Sequence, residues 1–217
     1  MPLVGSGGGR MIPAREALER LRAGNRRFVA AIAEGDASPP RPPVDLSRNQ
    51  QPFAIVLGCS DSRVPAEIVF DQGLGDLFVI RVAGNIVAPS QIGSVEFAAS
   101  RFGTRLVVVL GHSQCGAIEA TLEELQQPSS SRSRNLRSIV DRVRPSIEGL
   151  LSTDLKVDRD ALIRLAVRAN VGVSVSHLRH GSEILEQLSQ REGLMVVGAE
   201  YSLETGVVDF FYGVDND

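Results

Sequence analysis

The chain predicts an α/β fold, a mostly parallel sheet flanked by helices, extended by an antiparallel edge strand and preceded by an N-terminal helical arm. Three observations carry this. From residue 53 onward, short β-rich runs alternate with helical segments, the pattern of βαβ units with right-handed crossovers. Two of the runs, AIVL at residues 54–57 and LVVVL at 106–110, are apolar throughout, as strands covered on both faces require. The last run, Val207–Tyr212, follows its predecessor through the short turn SLETG, which suits an antiparallel return.

Taken in order, residues 1–12 read as a flexible tail. Residues 13–34 open on a proline and place Ala17, Leu18, Leu21, Phe28, Val29 and Ile32 on one helical face. Gly24-Asn25 is the point where this helix is expected to break in two. GDASPPRPPVD follows, and its four prolines favour an extended arm lying across its own domain or a neighbouring subunit. The domain proper runs over 53–217. Its predicted strands are Phe53–Gly58, Asp76–Val82, Leu106–Leu110, Leu194–Gly198 and Val207–Tyr212. Its predicted helices are Pro65–Phe70, Pro89–Arg101, Cys115–Gln126, Arg134–Leu151, Arg159–Leu178 and Ser182–Arg191. QQPSSSRSRN, low in complexity, reads as a surface loop.

Composition narrows the partners. A net charge of -3 gives no reason to expect nucleic acid or an anionic membrane, and no apolar run approaches the roughly 20 residues that span a bilayer. The opening MPLVGSGGGR lacks the charged and apolar regions of a secretory signal. With only two cysteines there is no disulfide framework, so a cytoplasmic location is expected and the thiols point to metal binding or catalysis.

Those cysteines occupy equivalent places. FAIVLGCSDSRVP brings Cys59, Asp61 and Arg63 to the loop leaving the carboxyl end of a buried strand, the edge where α/β sheets bind ligands. LVVVLGHSQCG repeats the plan, with His112 and Cys115 three apart at the start of a helix. Two thiolates and one imidazole suit Zn²⁺ in a tetrahedral site, leaving the fourth position for water or for Asp61. A cysteine-phosphatase loop is excluded on spacing, because its arginine would stand at position 65, which is proline. Asp61 paired with Arg63 stays ionised, and a guanidinium is suited to hold both of its oxygens.

CSDSRVPAE together with GHSQCGAI resembles the two motif segments of the β-class carbonic anhydrases of bacterial type, and the resemblance runs from about residue 13 to the C-terminus. It implies a four-stranded parallel sheet extended by an antiparallel strand, and one zinc ion per subunit on Cys59, His112 and Cys115. The reaction it implies is reversible hydration of carbon dioxide to bicarbonate and a proton through zinc-bound hydroxide. Asp61 and Arg63 would be the catalytic pair, with Asp61 the fourth zinc ligand in a closed state. For the substrate pocket it implies Gln50, with Gln51 an adjacent competitor, and Phe78; Phe97 stands where many members carry tyrosine. Core packing is the alternative reading for both phenylalanines. The 13–52 arm would pack on a partner subunit in a homodimer or dimer of dimers. Some bacterial members have an inhibitory bicarbonate site of tryptophan, arginine and tyrosine. Arg81 and Tyr201 fall at matching positions, but Val56 replaces the tryptophan, which puts that regulation in doubt.

Two rival functions keep the same zinc site: hydrolysis of carbon disulfide or carbonyl sulfide, and a zinc-binding regulatory protein without turnover. An Asp61-Arg63 pair argues against the second, since a structural zinc site closes with four protein ligands. His177 and His180 read as exposed or helix-capping residues. The arginine-rich SRSRNLRSIVDRVR reads as a solvated helix face, and Gly7-Gly8-Gly9 lacks the context of a phosphate loop. Gly84 is expected to relieve a tight turn near the zinc edge, with Asn85 fixing that loop.

Overall fold

A computed structural model describes residues 12–35, 50–127, 133–152 and 158–214. Five strands form one sheet in the order β2-β1-β3-β4-β5. Strands β1 (Ala54–Gly58), β2 (Leu77–Arg81), β3 (Leu106–His112) and β4 (Met195–Tyr201) run parallel, and β5 (Val208–Tyr212) returns antiparallel to β4. The expected α/β architecture holds. The helices are α1 (Ala14–Ala33), α2 (Ala66–Val69), α3 (Pro89–Arg101), α4 (Gly116–Gln126), α5 (Arg134–Ile147), α6 (Arg159–His180) and α7 (Glu183–Arg191). Short 3₁₀ turns occupy Ala83–Asn85 and Glu148–Ser152, so the helix expected to run to Leu151 tightens after Ile147.

Strand alternation sorts the apolar residues into two layers. Val56, Val108, Leu110, Val197 and Ala199 face α1 and α2, whereas Ile55, Leu57, Val107, Val109 and Val196 face α3, α7 and the second half of α6. A third cluster lies beyond the strand ends, where Ile118, Leu122, Val143, Ile147, Leu162 and Ala166 pack together with Cys59 and Cys115. The thiols therefore sit where the carboxyl edge of the sheet meets an apolar cap. Among the described residues, no helix is long and apolar enough to cross a membrane.

Strand β3 outlasts its expected end at Leu110, because Gly111 and His112 pair with Glu200 and Tyr201 of β4. Glycine at 111 reflects a close approach and not a turn: a Cβ there would lie 2.6 Å from Val171 Cγ2 on α6.

The expected break at Gly24-Asn25 does not occur, and α1 is continuous. Both residues serve contacts. A Cβ on Gly24 would lie 1.8 Å from the Phe70 carbonyl oxygen, so α1 and the end of α2 touch backbone to backbone. Asn25, 5% exposed, donates from Nδ2 to Val69 O (3.1 Å) and Gly206 O (2.9 Å), and its Oδ1 accepts from the Val208 N–H (2.9 Å). The apolar face of α1, Ala14, Ala17, Leu18 and Leu21, is buried in the chain's own sheet core, while Ile32 is exposed beyond it. Packing is thus continuous across residue 53, where the domain proper was expected to begin. The tail to residue 11, residues 36–49 of the proline-rich arm and residues 128–132 of the low-complexity loop lie outside the described residues.

Candidate metal centre

Two strand ends and the turns beside them build the centre. β1 delivers Cys59 directly after Gly58, and β3 delivers His112 as its final residue. Cys115 is the N-cap of α4, reached through Gln114, whose φ of 54° turns the chain sharply between the two donors. Parallel pairing of β1 with β3, Gly58 opposite Leu110, sets the two loops side by side. Cys59 Sγ, a ring nitrogen of His112 and Cys115 Sγ all lie within 4.8 Å of one another, and all three residues are buried. Both thiols are free.

The donor set fits zinc. Zn–S and Zn–N bonds of about 2.3 and 2.0 Å place tetrahedral ligand atoms about 3.5–4 Å apart, inside the 4.8 Å that bounds the three donors. His112 Nδ1 lies 2.8 Å from the Ser113 carbonyl oxygen, which only accepts, so Nδ1 carries the proton and donates. That leaves the Nε2 lone pair toward the thiols, the tautomer a metal requires. Nε2 is buried with no hydrogen-bond partner, a costly omission in a purely structural histidine.

The thiols are unequal. Cys59 is pushed well below the ordinary thiol range, chiefly by a hydrogen bond from Cys115, then by His112 and by the backbone N–H groups of Gly84 and Asp61, against the opposing effect of burial. Cys115 is pushed up by the Cys59 thiolate and by burial. Burial lowers His112, but the adjoining Cys59 sulfur and the Ser113 carbonyl outweigh this and raise it.

Asp61 stands at the rim. Its Oδ1 accepts from Arg63 N–H (2.9 Å) and Arg63 Nε (2.9 Å), and its Oδ2 accepts from Arg63 Nη2 (2.8 Å). This fork holds the carboxyl far below the usual carboxylate range. Oδ2 lies 3.9 Å from His112 Nε2. Arg81 grips the same loop from β2, donating to the carbonyls of Cys59 (3.0 Å, from Nε) and Asp61.

Three further groups hold the centre. Glu204, in the turn between β4 and β5, accepts from Ser113 Oγ (2.8 Å), Gln114 Nε2 (2.7 Å) and Ser202 Oγ (3.0 Å), latching the His112–Cys115 segment. The Gly84 N–H donates to Cys59 Sγ at 3.3 Å. From α6, Asn170 Nδ2 donates to Gly84 O (2.8 Å) and Ser174 Oγ to Asn85 O (3.0 Å). Sequence reasoning noticed Gly84-Asn85 but missed Glu204, Asn170 and Ser174. The available signal was a buried-looking Asn-x-x-x-Ser within the apolar run of α6.

The pocket residues are placed differently. Gln50 and Gln51 are exposed ahead of β1. Phe78 pairs in register with Ile55, three residues before Arg81 and so about 10 Å short of the strand end. It packs on Phe97 and Phe102 with ring centroids 6.2 and 6.0 Å apart, and Phe97 is 53% exposed. Val56 and Tyr201 are buried in the sheet core, and the Arg81 guanidinium is taken up by the Cys59–Asp61 loop. His177 and His180 line a separate open cavity of about 390 Å³ with Arg142 and Ile92.

Residues 54–208 match the carbonic anhydrase family. A carbonic anhydrase of Mycolicibacterium smegmatis is 38% identical over 193 residues, covering 89% of this chain and 91% of that one. The solved β-carbonic anhydrase CcaA superposes with a TM-score of 0.68 at 26% identity, covering 93% of this chain and 91% of that one. A structure from a study of two tetrameric β-carbonic anhydrases of Sordaria macrospora gives 0.65 at 25% identity, covering 75% and 82%. A paired-strand Cys/His/Cys centre on this sheet and relatives that span nearly its whole length agree: the chain belongs to the β-class carbonic anhydrase family.

Proposed function

We propose that the chain interconverts carbon dioxide and water with bicarbonate and a proton, using one zinc ion per subunit held by Cys59 Sγ, His112 Nε2 and Cys115 Sγ. The carrying observation is the convergence of these three buried donors beside an ionised carboxylate. Bound zinc supplies a Lewis acid that lowers the pKa of water and delivers hydroxide to carbon dioxide.

The protein's own groups then have defined work. Each carboxylate oxygen accepts about two hydrogen bonds. Asp61 Oδ1 is filled by two Arg63 donors, while Oδ2 takes one and faces the His112 side. Oδ2 is therefore the atom that accepts from the attacking water and orients it. Arg63 keeps Asp61 ionised and, by holding both oxygens, keeps it off the fourth metal position. Two thiolates and a neutral imidazole bring the formal charge of the zinc site near zero, so activity rises into mildly alkaline pH. A flat rate between about pH 6 and 9 would contradict this.

Gln50, Phe78 and Phe97 are assigned to the approach of carbon dioxide. Phe97, exposed on α3 beside edge strand β2, supports an approach along the outer edge of the sheet. A second copy against that edge would cover the ring, in keeping with a homodimer or dimer of dimers.

Stopped-flow hydration of carbon dioxide by protein of measured zinc content tests the reading. One zinc per chain with hydration that disappears in His112→Ala is expected. Stoichiometric zinc with sulfide release from carbonyl sulfide and no hydration would overturn the substrate, and zinc without either turnover would overturn the enzyme.

A further inference from the structure

The turn Ala83–Asn85 has the most demanding backbone near the metal residues. Gly84 has φ 68° and Asn85 φ 42°, two consecutive residues in the left-handed region, and the second is a buried non-glycine. Such conformations cost free energy and persist only where the surroundings over-determine them. Here the surroundings are specific. Asn170 and Ser174 lie one turn apart on α6, in the stripe that continues as Ala166 and Leu178, where an ordinary core would place aliphatic residues. Both are almost fully buried, and each donates to one of two consecutive carbonyls of the turn, Gly84 O and Asn85 O. The Gly84 N–H is thereby aimed at Cys59 Sγ. A side chain at 84 would meet Ala117 Cβ at 3.2 Å, so the same turn also seats against the first turn of α4, next to Cys115.

We infer that Asn170 and Ser174 are positioning residues for the metal: they hold the 83–85 turn so that the Gly84 N–H donates to the Cys59 thiolate, setting its orientation and its donor strength toward zinc. The inference rests on the zinc reading above. A hydrogen bond to a ligating sulfur withdraws electron density from it and fixes its direction, and loss of such outer contacts costs about 10–100-fold in metal affinity.

The test compares Asn170→Leu and Ser174→Ala with wild type and with Leu185→Ala, a buried change on α7 that weakens the fold while leaving α6 and the turn unaltered. Two readouts are taken: zinc affinity by competition with a chelator, and the thiolate-to-metal charge-transfer band of the Co²⁺-loaded protein. Both α6 variants are expected to bind zinc about 10-fold or more weakly. Their cobalt bands should move to lower energy, because a sulfur relieved of its hydrogen bond is more easily oxidised. Leu185→Ala should keep the wild-type affinity and band. If Asn170→Leu fails to fold, Ser174→Ala decides alone. α6 variants that lose thermal stability yet retain wild-type affinity and spectrum would show the pair to be only a support for the turn and overturn the inference. A wild type that loads no zinc would instead remove the zinc reading itself.

Discussion

Asn25→Leu tests whether the N-terminal helix is bonded into the sheet or merely rests on it. Asparagine satisfies three backbone groups on three segments: Val69 O after α2, Gly206 O in the β4–β5 turn and the Val208 N–H of β5. Leucine matches its size and helical preference but leaves all three without this partner in a site only 5% exposed. At about 1–3 kcal/mol for each buried group left unsatisfied, the gross loss is about 3–9 kcal/mol. The added apolar burial returns about 1–2 kcal/mol, so a net loss of about 1–8 kcal/mol is expected, with its middle near 4–5 kcal/mol. That is a large part of the roughly 5–15 kcal/mol that holds a domain folded. Urea unfolding followed by circular dichroism measures it, with the slope checked to ensure that the same transition is compared. Asn25→Asp separates polarity from shape. It keeps an acceptor for Val208 N–H but turns a second oxygen toward two carbonyls, so it should be as damaging at neutral pH. It should recover partly in acid, where a protonated carboxyl donates to one of them. A loss under about 1 kcal/mol in Asn25→Leu would refute the reasoning.

Other expectations follow from the same geometry. Gly24→Ala forces a Cβ to within 1.8 Å of Phe70 O and should displace α1, which limited proteolysis and a lowered Tm would report; a wild-type melting curve would contradict the backbone contact. Arg63→Ala frees both Asp61 oxygens and should lower kcat on the order of 100-fold while zinc stays at one per chain. Loss of zinc in that variant would make the arginine structural. Because Cys115 is raised in the metal-free protein, zinc must displace its proton. Affinity should therefore strengthen with pH, by on the order of 100-fold between pH 6 and 8 for one proton released, and equal chelator competition at both would contradict it.

The donors were legible because each followed an apolar strand, and a strand covered on both faces fixes where its carboxyl end falls. Asp61 and Arg63 were legible because a single residue separates them on one loop, where a guanidinium reaches a carboxylate without tertiary help. What failed was the reading of glycine. From sequence Gly24 reads as a break and Gly111 as the residue beyond a strand end, yet each lies inside regular structure, and the missing side chain admits a neighbouring backbone or helix. One chain cannot distinguish these cases, since the deciding atoms, Phe70 O and Val171 Cγ2, belong to segments far away in sequence. Asn25 misled for the same reason: a turn-forming asparagine and a buried one with three tertiary bonds look alike. Asn170 and Ser174 stayed hidden because they act on backbone atoms, which carry no residue-specific pattern, and Glu204 because its partners Ser113 and Gln114 lie 91 and 90 residues away in sequence.

Those backbone contacts bear on how a metal site with two thiolates keeps electrophilic power. Two thiolates on Zn²⁺ cancel its charge, which should leave bound water weakly acidic. Here the Gly84 N–H donates to Cys59 Sγ. Cys115 is the N-cap of α4, a helix N-terminus whose dipole also favours negative charge. Arg81 and Arg63 bring two cations to the same loop. Each contact draws density from the ligands and away from the metal. Such donors work only if held in place, since flexible N–H groups would turn to water instead. Two of the three non-glycine residues with positive φ among those described, Asn85 and Gln114, stand in the two segments that carry these donors. The carbonyl grips of Arg81, Asn170 and Ser174 and the Glu204 latch keep that strained backbone from relaxing. The centre is then a thiolate site whose acidity depends on the rigidity of its loops, and the α6 stripe is as much part of the metal chemistry as the ligands.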